Sequence, residues 1–203
     1  MIHVTPTSVP ASVRYLPAVP EGFELSDAER LSDGLRRLSL EELDRAIGGL
    51  LGGSDVDVAI HEARKSMKRL RAVLRLIRDE LGENRYRQEN DLLRNTARLI
   101  APVRDSAVRL RTVSTIRSGF STHLKRSAFE RLEHNLRIRH LDARTRVGEN
   151  PETLRRVVYA LRSARARYRV WPAEADPEET WRTHPVAHSF EAMRGGLVRT
   201  YRR

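Results

Sequence analysis

Apolar side chains recur along this chain at three- and four-residue intervals, the spacing that gathers them on one face of an α-helix. No stretch alternates with the period of two that marks a strand. Before that pattern begins, residues 1–24 carry Pro6, Pro10, Pro17 and Pro20 without any helical period. They predict an extended arm, ordered where Val13, Tyr15 and Leu16 dock. From Ser26 to Leu51 the apolar positions are Leu31, Leu35, Leu38, Leu43, Ile47 and Leu50, with Ser39 and Glu42 spaced as a capping box that restarts the helix. Gly48, Gly49, Gly52 and Gly53 then predict a helix end and a flexible turn. The phosphate-loop pattern is not met, since no lysine follows and no strand precedes.

Ser54 and Asp57 are spaced as the N-cap of a second helix and Gly82 as its C-cap, giving roughly 27 residues or ~40 Å. From Asn84 a stripe of Leu92, Thr96, Leu99, Val103, Ala107 and Leu110 keeps its phase through Pro102. That predicts one kinked helix or two nearly collinear pieces, ending at Ser118 and Gly119. A further helix is expected over Thr122–Val147, with Leu124, Ala128, Leu132, Leu136 and Leu141 inward. Another runs from Pro151 to about Tyr168 on Leu154, Val157, Val158 and Leu161. Trp171–Thr183 reads as a loop, and Pro185 opens a last helix. Long helices with short turns make the expected fold all-α, an antiparallel bundle, with residues 25–203 as its domain.

Charge singles out the second of these helices. Within Ile60–Ile77 the apolar face is Ala63, Met67, Leu70, Leu74 and Ile77. Counting ~100° per residue from His61, Arg64, Lys65, Lys68 and Arg75 fall within about 60° of it on the opposite face. Arg69, Arg71 and Arg78 occupy the flanks, and between Val58 and Arg78 the only acid is Glu62. A solvated helix face normally mixes signs, because opposite charges one turn apart support each other and like charges repel. This face forgoes that support, so an anionic partner is expected. The whole chain leans the same way, with a formal charge of +11, though charge alone does not separate nucleic acid, anionic lipid and polyphosphate. Only three lysines stand among 38 basic residues, and Lys65 and Lys68 lie one turn apart on this face. A compact ammonium there acts as a point charge against phosphate oxygens.

The segment HEARKSMKRLRAVLRL resembles the signature of the CHAD family, the conserved-histidine α-helical domain, whose hallmark is HxxRKxxKxLR. Those positions are His61, Arg64, Lys65, Lys68, Leu70 and Arg71, without departure. Pro102 to Val108, with Arg104 and Asp105, is similar to the family's RD-x-x-V segment. Gly195 to Arg203 resembles its GLRRTYRRGR run. The resemblance covers roughly Leu25 to the end and implies a helical domain that binds inorganic polyphosphate in a basic cavity, with no established catalysis of its own.

The residues themselves fit a linear anion. His61 to Arg75 spans ~21 Å at 1.5 Å per residue, a straight rail of donors, and carries no Asn or Gln to pair with base edges. The candidate polyphosphate contacts are therefore His61, Arg64, Lys65, Lys68, Arg71, Arg75 and Arg104. Arg104–Asp105 reads best as structural, the acid holding the motif arginines in their rotamers, against a direct ligand role for Arg104. Facing phosphate, His61 would donate a hydrogen bond, and the anion would favour its protonated form. His184 and His188 have metal-like spacing, but Pro185 follows the first and no third ligand is near, so no metal or cofactor is expected. The arginines after Pro151 read as a looser basic set, mostly solvated. No triad, convergent acid pair or ExExK strand is present, so a stand-alone binding module is expected rather than an enzyme. The competing reading is non-sequence-specific binding of RNA or DNA, although no aromatic platform is evident.

The absence of cysteine, of a ~20-residue apolar run and of a signal-peptide layout fits a cytoplasmic protein, in this reading one targeted to polyphosphate granules. A last expectation concerns extent. Gly34-Leu35-Arg36-Arg37 precedes His61 by 27 residues, and Gly196-Leu197-Val198-Arg199 looks like its repeat. Counting forward from Gly196 puts a second basic helix beyond Arg203, so the chain is expected to hold the first half of such a domain and the start of the second. The expected outcome is weak monomeric binding with a frayed C-terminal helix; the alternative is homodimerisation, favoured by ligand, that restores a two-sided cavity.

Overall fold

The computed structural model describes residues 23–25, 29, 31–53, 55–119 and 126–170. Among them are seven α-helices: α1 (Leu31–Leu51), α2 (Val56–Leu76), α3 (Arg78–Leu81), α4 (Glu83–Leu99), α5 (Ala101–Gly119), α6 (Arg126–Ala143) and α7 (Pro151–Arg169). A π-helical turn, Arg144–Gly148, joins the last two, and no strand occurs among the described residues. The amino-terminal arm through residue 22, Ser54, Leu124, the Trp171–Thr183 loop, the helix expected from Pro185, His184, His188 and the 195–203 run lie outside them. Phe23, at the end of the expected arm, already packs against the core.

The core is the predicted face of α2. Met67, Leu70, Leu74 and Ile77 are fully buried and Ala63 is nearly so. α1 packs on α2 and α7, and α4 packs on the same two, so the four helices close a square around that stripe. Leu35, Leu43 and Ile47 enter it from α1, Leu93 from α4, and Val157, Leu161 and Ala164 from α7. Replacing Leu70 by Ala here would cost ~2–5 kcal/mol, because a filled core relaxes only partly around a cavity. Ion pairs tie the corners: Arg165 Nη2 donates to Asp44 at 2.9 Å and Arg167 Nη2 to Glu89 at 3.0 Å. Two arginines of the looser basic set therefore hold α7 to α1 and α4.

Several local expectations are corrected. Ser39 and Glu42 restart nothing; both are buried inside an unbroken α1, where Glu42 accepts from Arg69 of α2 at 2.8 Å and from Arg45. The N-cap of α2 is Asp55, whose carboxylate accepts from the backbone N–H groups of Asp57 and Val58. The Asp57 side chain does no capping, because α6 and the π turn engage it instead. The helix stops at Leu76: Ile77, with φ −109°, breaks it before the single turn of α3. Gly82 then sits at φ +73°, the left-handed side that glycine reaches without Cβ strain, and α4 starts in a new direction.

Of the two alternatives at Pro102, the structure has two pieces. α4 ends at Leu99, and Pro102 occupies the first turn of α5, where its missing N–H costs nothing. The buried positions are Leu93, Thr96, Ile100 and Val103, with Leu92 and Leu99 only partly covered, because α4 must face α2 and α7 at once.

The largest difference lies in α6. Leu132 and Leu141, expected inward, are 45 % and 57 % exposed, while Glu133 and His140 are buried. α6 packs on α5, whose inner face is polar. Ser114 Oγ and Arg117 Nη1 donate to Glu133 at 2.9 and 2.8 Å, and Ser106 Oγ lies 3.0 Å from His140 Nδ1. His140 Nε2 in turn stands 3.0 Å from Asp57 Oδ2, which also accepts from Arg144 at 3.3 Å. One imidazole therefore links the first turn of α2 to α5 and α6. Beyond that link α5 and α6 bond to each other through Ser114, Arg117 and Glu133. Gly148 completes the joint: a Cβ there would collide with Val56 and press on Ile60 and Val103, so only glycine lets the π turn sit this close.

Candidate anion-binding cleft

The basic face of α2 is not a flat solvated surface along its whole length. Where it runs beside the end of α4 and the start of α5, His61, Arg64, Lys65, Lys68 and Arg71 line a cleft of about 390 Å³ with Arg104 of α5. Met67 and Ala97 complete its wall. Six of the seven candidate residues are thus brought together, and among the described residues no carboxylate lines the space. Arg75, the seventh, is exposed further along α2 and does not border the cleft.

The way these cations are held matters more than their number. Arg64 Nη1 donates to the carbonyl of Ala97 at 2.6 Å. Ala97 is in the last turn of α4, where a helix leaves its carbonyls without intrahelical partners. Arg71 Nε donates to Asn90 Oδ1 of α4 at 2.9 Å. Both acceptors are neutral, so each guanidinium is oriented while its charge stays uncompensated. Lys68 and Arg104 make no ion pair among the described residues. Lys65 alone has a carboxylate, donating to Glu62 at 3.1 Å, and it holds that carboxyl below the usual range. His61, about half exposed, sits with Nε2 at 3.9 Å from the same group.

The flanking arginines are treated in the opposite way. Arg69 pairs with buried Glu42 at 2.8 Å and lies 5.4 Å from the centre of the Phe23 ring. Arg78 pairs with Glu83 at 2.7 Å and lies 4.9 Å from the Tyr86 ring centre. Its guanidinium is raised above the ordinary range, chiefly by the hydrogen bond to Glu83. The flanking arginines thus have carboxylates, whereas among the described residues only Lys65 of the lining lysines and arginines has one, Glu62. Electrostatic potential is therefore concentrated in one walled space where water screens it less than on an open face.

The structural reading of Arg104–Asp105 is reversed: Arg104 faces the cleft, while Asp105 is exposed and pairs with no motif arginine among the described residues. Asn90 and the Ala97 carbonyl were not foreseen. Asn90 belongs to no apolar stripe and no motif, and a backbone carbonyl has no sequence signature.

Fold and site together define the class: an all-α bundle with a cleft of cations oriented by neutral acceptors. The CHAD domain profile matches residues 35–203, so the chain belongs to the CHAD family, known in general for binding polyphosphate. No curated protein and no solved structure matches it. No helix among the described residues is long and apolar enough to cross a membrane.

Proposed function

We propose that this protein binds inorganic polyphosphate in the α2 cleft, as a binding module without catalysis of its own. The observation that carries the reading is that Arg64 and Arg71 are oriented by a carbonyl and an amide rather than by acids. Such groups are preorganised donors for an anion, with little side-chain entropy left to lose. Polyphosphate carries about one charge per phosphoryl unit with only an oxygen between units, and its flexible line follows a helix face. Nucleic acid is less well served, because among the described residues no Phe, Tyr or Trp lines the cleft to stack a base and no Asn or Gln lines it to pair with adenine. The same affinity would bring the protein to polyphosphate granules in the cytoplasm. A charge of +11 opposes self-association, so any dimer is expected to need the ligand as a bridge.

Competition between long-chain polyphosphate and RNA at equal phosphate equivalents and matched salt is the test. Polyphosphate should displace RNA, and Lys65→Ala with Lys68→Ala should weaken it far more than Arg155→Ala with Arg156→Ala on α7. Equal losses from both pairs would mean diffuse electrostatics without a site. Release of phosphate over time would overturn the non-catalytic reading.

A further inference from the structure

Arg104 is where α2 hands the anion path to another helix, and α5 does not stop there. Ser106 and Asp57, joined through His140, place this part of α5 level with the first turn of α2. Later on α5, Ser114 and Arg117 bond to α6, and among the described residues no hydrogen bond or ion pair joins this part of the helix to α2. Counting ~100° per residue from Arg104, Arg111 returns to within ~20° of it, two turns or ~10 Å further on. The opposite side of α5 is occupied, since Ser106 and Arg117, ~160° and ~140° from Arg104, bond to α6, and Ser114 does so from the flank. Arg111 is exposed and makes no ion pair among the described residues, and Asp105 is the only acid on the helix. Arg109 is equally exposed on the same helix but falls ~140° from Arg104.

We infer that the anion path continues out of the cleft along α5, with Arg111 as a further polyphosphate-contacting residue that makes binding depend on chain length. This rests on the cleft being the polyphosphate site and adds where the chain goes when it leaves. A three-phosphate anion held at Lys68 and Arg104 is too short to reach Arg111. A long chain passing Arg104 in the direction of α5 meets it next, and the His140 link keeps the two helices aligned for that passage.

The experiment compares long-chain polyphosphate with tripolyphosphate on Arg111→Ala, Arg109→Ala and Lys68→Ala, with circular dichroism confirming the fold. Arg111→Ala should weaken the long chain about fivefold, the value of one contact in water at ~4 Å, and leave tripolyphosphate unchanged. It should also flatten the salt dependence of the long chain by roughly one contact, a log–log slope of ~0.7–0.9. Arg109→Ala should change neither ligand, and Lys68→Ala should weaken both. Equal effects of Arg109→Ala and Arg111→Ala, or none from Arg111→Ala, would overturn the extension while the cleft stands. No effect of Lys68→Ala on either ligand would overturn the cleft and the extension with it.

Discussion

Asn90→Asp separates affinity from stability. The wild-type amide accepts from Arg71 Nε at 2.9 Å and leaves the guanidinium charge free to act on the cleft. A carboxylate at the same place would keep the hydrogen bond and add an opposite charge, so the five lining cations (Arg64, Lys65, Lys68, Arg71 and Arg104) would act as four. With a phosphate oxygen ~5 Å from the new carboxylate, the repulsion is about 1–3 kcal/mol between the limits of bulk water and a protein surface, or about 5- to 150-fold in Kd. The fold responds in the other direction: a half-exposed ion pair replaces a neutral acceptor and adds ~0–1 kcal/mol. Asn90→Ala is the control, since it releases Arg71 without neutralising it and should cost less than the acid does. Isothermal titration with long-chain polyphosphate over a salt series, beside thermal melts, reads both quantities. Asn90→Asp should bind more weakly, with a salt slope flatter by ~0.7–0.9, and melt no lower than wild type. Wild-type affinity in Asn90→Asp would refute the argument that neutral anchoring of Arg71 matters.

Two further outcomes follow from the rim of the cleft. Glu62→Gln removes the carboxylate that holds Lys65; polyphosphate should bind about 1.5- to 5-fold more tightly, the range of an exposed ion pair. Because Lys65 keeps the Glu62 carboxyl below the usual range, the stability this pair adds is present above the unfolded carboxylate pKa. It is lost only as pH falls through the lowered value, so the gain from Glu62→Gln should be the same at about pH 8 and about pH 6. Wild-type affinity, by contrast, should rise over that interval, and His61→Gln should abolish most of the rise. A pH response that survives His61→Gln in the same titrations would assign it to another group.

What was legible in the chain were the features that local geometry decides. The four stripe positions of α2 and Ile77 at its C-cap are buried as their period requires, because 3.6 residues per turn fixes which side chains share a face whatever lies opposite. The same arithmetic gathered His61, Arg64, Lys65, Lys68 and Arg75, of which all but Arg75 line the cleft, and the motifs carried Arg71 and Arg104 with them. Where a helix is amphipathic by charge rather than by apolar content, the period misled: α6 turns Glu133 and His140 inward and leaves Leu132 and Leu141 outside, since its neighbour offers hydroxyls and an arginine. Only the tertiary structure decided which cations are neutralised. Arg69 and Arg71 stand two residues apart on one helix, yet one meets buried Glu42 of α1 and the other a neutral amide of α4. The difference depends on which helix packs beside each, at separations of 27 and 19 residues along the chain. Local periodicity determines where a charge points; what it meets there, and so whether it stays available to a ligand, is set by the contacts that close the bundle.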